Sequence, residues 1–378
     1  MVQVEQAAQS EVGMPVEGLE CGLWWRGKGC VWHSCQALED VMMSMKLSRF
    51  GATAVLACAA GVACADVVNP WGLSVYTSGN IGTASSGYSG QITRGVMSGG
   101  STYVNNASVG VLTGFGSGSG TSVFAGRDVI VSGSLQGSIS AGTNVTIKGA
   151  SVGGNVVSGG SLRSAGSGGS VAGSVTLGGT NQAGNSVSIG GSVLQNQAFT
   201  SAVNIAEYGA YFQGLARQAS ASASTGSVSA SGDGNQLSIS ATGTGTQFVR
   251  VGGAMISSAR NISVSAAQDA TVVVNVTGDA ANFSNVGWSF AGGASAARTI
   301  FVFEDASSVT VSGSVQASIL ANAALVQLSS ASVSGSVVSM GLIGNGSVGG
   351  GQFTGMVPAP GAVALAGCGV MMVMRRRR

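Results

Sequence analysis

Between Asp66 and Met356 the sequence has no histidine, no cysteine and a single lysine, Lys148. Disulfides, Cys/His zinc sites and Cys–His or Ser–His nucleophilic pairs are therefore excluded from that stretch. Charge is scarce as well. Only 8% of the 378 residues are Asp, Glu, Lys or Arg, against roughly a quarter in ordinary soluble domains. Residues 66–356 carry eight acidic and eight basic side chains and are formally neutral. No basic stripe runs along them, which argues against nucleic acid as a partner. No residue pattern calls for a cofactor.

Glycine, in contrast, is abundant. The chain has 63, more than double the usual share of about 7%, without the three-residue period of collagen. Valine, with isoleucine and leucine, recurs between Gly, Ser and Asn, which disordered chains seldom show. Many short strands joined by tight turns are expected. The segments 133–142, 149–159 and 169–178 are imperfect copies of one unit, and Gly137, Gly154 and Gly173 lie 17 and 19 residues apart. The unit is a short strand, a Gly turn and a second strand with alternating apolar residues. A period of 17–20 residues predicts an all-β fold, a parallel β-solenoid (β-helix) whose stacked coils share one core. A two-sheet sandwich is the competing arrangement. The pattern returns after residue 310, at 313–320 and 334–338.

One segment has helical period. Ile205, Tyr208, Phe212, Leu215 and Ala219 share a face at helical spacing. Asn204 and Glu207 are placed as N-cap and N3 of a capping box, with Val203 and Tyr208 as its hydrophobic staple. One flanking helix at about 205–219 is expected, followed by a loop or weak strand at 220–231.

The two ends read as processing signals. Residues 45–65 read as a signal peptide: 45–49 form a basic n-region, 50–62 an apolar run, and Ala63 and Ala65 flank Cys64 in a small-residue site. Signal peptidase is expected to cut before Asp66. A buried helix, or a lipoprotein cysteine at Cys58 or Cys64, are the alternatives. Residues 1–44, with three Trp, three Cys and six acidic residues, read as a misassigned upstream extension, translation starting at Met42, Met43 or Met45. At the other end, residues 357–378 contain Pro358 and Pro360, an apolar run from Gly361 to Met374, and Arg375, Arg376, Arg377 and Arg378. The run is shorter than the roughly 20 residues of a spanning helix, and the Arg cluster would remain cytoplasmic. A simple tail anchor is one reading.

The layout of this tail also resembles PEP-CTERM sorting signals, which exosortase-type transpeptidases of Gram-negative bacteria recognise. Ala359 stands where that family usually has Glu, a variant similar to those of planctomycete-type bacteria. The resemblance implies export, membrane contact through the tail before sorting, and a cell-surface or matrix location. The span from about Ala125 to Gly355 resembles the choice-of-anchor A domain. The matching motifs, in order, are 126–160, the helix at 205–219, 273–278, 300–306, 318–323, 335–338 and 353–355. That resemblance implies a β-helical adhesive module found with different anchors, and no particular ligand.

Few residues in 66–356 could perform chemistry. Glu304 and Asp305 are an adjacent acidic pair, but neighbours on a strand point to opposite faces, and a solvated strand-end turn is the plainer reading. Asp233 and Asn235 could open a calcium loop, yet the alternating acidic ligands are missing. Thr242, Thr244 and Thr246 would share a face if extended, as ice-binding solenoids arrange threonines; a loop is the plainer reading. A β-helical carbohydrate-active enzyme would need clustered carboxylates and aromatic platforms, which this sequence lacks. No catalytic and no metal-ligating residue is assigned. The expected function is an exported, surface-anchored adhesive protein that binds extracellular polysaccharide, matrix or neighbouring cells. N-terminal sequencing of protein from native cells is expected to start at Asp66, and mass spectrometry to find no peptide from residues 1–40.

Overall fold

The computed structural model describes residues 70–112, 120–166 and 168–357, within the compact unit Ala65–Arg378. The processing residues Ala63, Ala65, Asp66, Pro358, Pro360 and Arg375 to Arg378 lie outside the described residues, as do residues 1–44. Among the described residues no helix is long and apolar enough to cross a membrane.

Twenty-three strands wind into one parallel sheet, and four more form a second. The winding is a solenoid with three strands per coil, hence three outer faces. Alternation sends one side chain inward and the next outward. Inward residues of successive coils stand in register: Val75 beside Val96, then Val123, Ile139, Val156 and Val175. All six are fully buried. The expected period holds in this half, where paired residues such as Ile139 and Val156 are 17 apart and Val156 and Val175 are 19 apart. It stretches elsewhere: Val96 pairs with Val123, and Val274 with Phe301. The longer coils keep the paired strands and place their extra residues between them.

The corners of the coils explain the Gly-Ser and Gly-Asn pairs. Along one edge, Asn80 Oδ1 accepts the Ser101 N–H at 2.8 Å and Asn144 Oδ1 accepts the Ser161 N–H at 3.0 Å. Ser161 Oγ in turn accepts the Thr180 N–H at 3.1 Å. Along a second edge, Ser138 Oγ accepts from Asn155 N–H, Asn155 Oδ1 from Ser174 N–H, and Ser174 Oγ from Ser192 N–H, at 2.9, 2.8 and 3.3 Å. Each side chain thus satisfies a backbone donor one coil on, which would otherwise be left unpaired at the bend. The oxygen occupies the space of the neighbouring Cβ. A Cβ on Gly160 would come within 2.7 Å of Asn144 Oδ1, and one on Gly173 would overlap Asn155 Oδ1. Glycine is required there by close approach, not by its φ.

Helix α1 spans Ile205–Ala221, two residues beyond the expected end. Asn204 is its N-cap and accepts from Ala206 N–H at 3.2 Å. The capping box is altered: Asn204 Nδ2 donates to Glu207 Oε1 at 2.7 Å, so the two side chains bond to each other rather than Glu207 reaching the Asn204 backbone. Tyr208, Phe212, Leu215, Ala216 and Ala219 are buried. A second helix the periodicity missed, α2 at Gly253–Ser258, is six residues long. The stretch after α1 contains an exposed strand at Ser227–Ala230, antiparallel to Gln236–Ala241.

The chain does not stack its coils in order of sequence. The first strand, Val75–Thr77, pairs with Val96–Ser98 on one side and with Val337–Ser339 on the other. Coils run from residue 75 to one end of the solenoid at Leu194. The chain then crosses back, and coils from residue 246 stack toward the first strand from the far end. Helix α1 is the return route. At its start Tyr76 Oη donates to the Ile205 carbonyl at 3.3 Å, and at its finish Arg250 Nη2 donates to the Ser220 carbonyl at 2.9 Å. Those two residues lie five strand spacings apart, about 24 Å, and a helix of this length spans about 25 Å. Beneath it the outward residues of the strands are apolar: Tyr76, Val338, Leu320, Val302 and Val273. Burial pushes the Tyr76 hydroxyl up to about 12. Beyond the helix the same outward row becomes mixed, running Ser140, Val157, Thr176 and Leu194.

Phe212 is fully buried at the centre of this contact, with ring centroids 5.2 Å from Trp71 and 5.1 Å from Tyr76. Phe212→Ala should destabilise the domain by about 3–5 kcal/mol, read as a lower urea midpoint with an unchanged slope.

Candidate functional site

Of the three outer faces, one is covered by α1. The second is mixed: Tyr103, Ile130, Thr146 and Arg163 follow one another in register along it. The third is built almost wholly of serine. In register, coil after coil, it presents Ser314, Ser332, Ser347, Gln91, Ser108, Ser134, Ser151, Ser170 and Ser188. Each precedes an inward aliphatic residue, for example Leu135, Val152, Val171 and Ile189, and so points outward by alternation. Nine rungs at one strand spacing make a row about 38 Å long. The four-stranded sheet continues the same chemistry with Ser238, Ser263 and Ser289 in register.

Two populations of serine are thus separated by position. Corner serines such as Ser138, Ser161 and Ser174 already accept backbone N–H groups. The row serines Ser134, Ser151, Ser170 and Ser188 are exposed, and none of their hydroxyls bonds to another described residue. A hydroxyl is both donor and acceptor, so the row is a regular strip of uncommitted hydrogen-bonding groups. Sequence reading did not single it out. The signal was the repeated Ser-aliphatic pair, but the corners use that same pair.

The residues weighed for chemistry do not converge. Glu304 and Asp305 follow strand Thr299–Phe303 in a bend, Asp305 being exposed. Asp233 closes a local turn: it accepts from Ser231 Oγ, from Asn235 N–H at 3.1 Å and from Asn235 Nδ2 at 2.8 Å. The Ser231 and Asn235 bonds lower its carboxyl to about 2. Thr242 and Thr244 lie in a loop before strand Thr246–Gly252, so they form no ladder. Among the described residues no three His, Cys, Asp or Glu side chains cluster to hold a metal.

Asp128 is the acidic member of the first corner edge. Partial burial pushes its carboxyl up, but bonds from Thr143 Oγ1 at 2.7 Å, Asn144 N–H at 3.0 Å and Asn144 Nδ2 at 3.2 Å outweigh this. With the positive charge of Arg163 they hold it below the usual carboxylate range. A depressed folded-state value stabilises the fold above the unfolded value, about 3.9, and that share is lost as pH falls through the folded value. Urea midpoints followed downward from about pH 4 should fall more steeply for the natural chain than for Asp128→Asn.

A family model described as "Putative Ice-binding-like adhesive domain" matches residues 74–350. The match takes in the coils from Val75 onward. No curated protein and no solved structure matches the chain.

Proposed function

The chain belongs to the ice-binding-like adhesive domain family, and on that premise we propose that its solenoid is an exported contact module that grips extracellular polysaccharide or matrix through the serine row. The observation that carries this reading is the in-register row of hydroxyls with no partner inside the described residues. A sugar polymer offers hydroxyls at repeated intervals along its length, and each can both donate to and accept from a serine. The neutral surface leaves such a polymer free to approach whatever its charge. Each bond contributes only about 1 kcal/mol net, so firm attachment needs many copies on one surface. The domain acts by binding, without turnover.

Export and anchoring complete the reading. The signal ending at Ala65 would deliver the domain across the membrane, and the tail with Pro358, Pro360 and the four Arg would hold it there or pass it to an exosortase-like transpeptidase. The motif order from 126 to 355 supports placement near the choice-of-anchor A group. A regular hydroxyl row also suits ordered water, and a thermal-hysteresis measurement separates that reading from adhesion.

The triple variant Ser134→Ala, Ser151→Ala, Ser170→Ala alters exposed positions, where substitution changes stability by about 0.5 kcal/mol or less each. It removes three hydroxyls, about 3 kcal/mol or roughly a hundredfold in affinity. Beads densely coated with the natural protein should be retained on extracellular polysaccharide while beads with the variant wash off. Equal retention would reject the serine row, and degradation of the polymer would reject binding without turnover.

A further inference from the structure

The two ends of the solenoid are finished differently. At one end the strand Ser227–Ala230 lies over Gln236–Ala241. Beside it Thr225 closes the strand Thr246–Gly252: its N–H donates to the Phe248 carbonyl at 2.7 Å, and its Oγ1 accepts the Phe248 N–H at 3.0 Å. The core residues beneath, Leu237, Ile239, Val249 and Val251, are each 1% exposed. Stacked-repeat proteins need such a cover, because the last coil has no neighbour to bury its inner face.

Among the described residues the other end has none. Its last strands are Val187–Ile189 and Val193–Leu194. One coil inward, Val171 and Val175 are 1% and 0% exposed, whereas Ile189 and Val193 are only half-buried. Leu194, on the outer wall as the register mate of Thr176, is 51% exposed at the rim of this edge. The backbone edge is open too. The Gly190 N–H donates to the Val171 carbonyl, and the Ser192 carbonyl accepts the Val175 N–H. Alternation therefore turns the N–H and C=O of Ile189 and Val193 away from the solenoid. Among the described residues no strand pairs beyond them, and the Gln197 N–H bonds back to the Leu177 carbonyl. Sheet edges are commonly guarded by charged side chains, lysine above all. Residues 178–199 contain no charged residue.

The position of this open end relative to the tail gives it a direction. Met356 is held beside the closed end: its N–H donates to Thr271 Oγ1 at 2.9 Å and its carbonyl accepts from Thr246 Oγ1. Eleven strand spacings, about 53 Å, separate the strand at Thr246 from the strand at Val193. Met356 thus lies at the end opposite the open coil.

We propose that the coil 181–194 is a self-association surface, and that its occupant is the same coil of a second copy of this chain. The inference rests on the anchoring role of the tail only for its direction: an anchored molecule would hold this coil outermost, where copies on facing surfaces meet. Two identical edges related by a twofold axis satisfy one another, each supplying N–H and C=O groups to the other. Ile189, Val193 and Leu194 then bury against their counterparts. Neutrality removes the repulsion that like-charged tips would suffer. The strands are two and three residues long, so one pairing is weak and many acting together are needed.

The test uses the full chain, tethered to beads through its C-terminus, in buffer without polymer or cells. Natural-sequence beads should cluster. Leu194→Lys, at an exposed position that leaves the core intact, should abolish clustering, and so should Leu194→Glu. Mixing Lys beads with Glu beads should restore it at about 0.15 M salt, where general attraction between the coats is screened beyond about 8 Å and close pairing at this coil is not. The serine triple variant should cluster like the natural protein, which separates failure of this surface from failure of polysaccharide binding. Beads that stay dispersed, clustering that survives Leu194→Lys, or clustering that needs added cell material would each overturn the proposal.

Discussion

The whole solenoid depends on one local contact: an oxygen of a corner Ser or Asn accepting the backbone N–H of the next coil. At each bend the strand ladder stops and a donor would be left unpaired. Asn144, Asn155 and Ser174 supply the missing acceptor. The contact works only if the following chain presses close, which is why a glycine such as Gly160 or Gly173 sits beside it. Coil spacing, glycine content and the Gly-Ser and Gly-Asn pairs are therefore one constraint seen three ways. With backbone polarity satisfied at the corners, the interior is filled chiefly by Val, Ile, Leu and Ala, with Tyr88, Phe283, Phe301 and Phe303 among them.

Helix α1 follows from a second constraint. The chain builds half of the solenoid, reaches an end and must start again at the other end. A helix spans that distance with every internal backbone bond made, and its buried face covers the strand residues that alternation turns outward. Where it lies, strands are apolar on both sides, as in the run Thr299–Phe303, all of it buried. Beyond it, the outward row is mixed, with Ser140 and Thr176 alternating with Val157 and Leu194. One consequence concerns assembly. Val75 meets Val337 across the middle of the solenoid, so that junction joins residues from opposite ends of the sequence. Contacts of such separation are slow to form because a large loop must close first.

The scarcity of charge has a physical use. Within the described residues a single salt bridge, Arg298 to Asp269 at 2.8 Å, is exposed and adds little to stability. The outer surfaces are left to uncharged hydrogen-bonding groups, and the serine row concentrates them in one register. A row of hydroxyls held by backbone ladders is ordered before any ligand arrives. Less side-chain freedom is then lost on contact than a surface of lysine or glutamate would lose.

Much of this was legible in the sequence, because it is local. Alternation of Val with Ser and Thr encodes strands, glycine at 17–19 residue intervals encodes the coil, and the 205–219 stripe encodes a helix face with its cap at Asn204. Helix α2 was missed because six residues cannot show a helical period. The order of stacking was not legible: that 75–77 lies between 96–98 and 337–339 is decided by which interiors fit across hundreds of residues, and every coil carries the same local signal. The serine row was hidden for the same reason. Gly169, Ser170, Val171 and Gly173, Ser174, Val175 are the same tripeptide. Ser170 lies mid-strand with its hydroxyl free on the outer face, whereas Ser174 sits at a corner and accepts the Ser192 N–H. Sequence alone determined that both would flank a buried valine; only the path of the coil, setting where the chain bends and what stacks on it, decided which serine is spent on the backbone and which is left to bind.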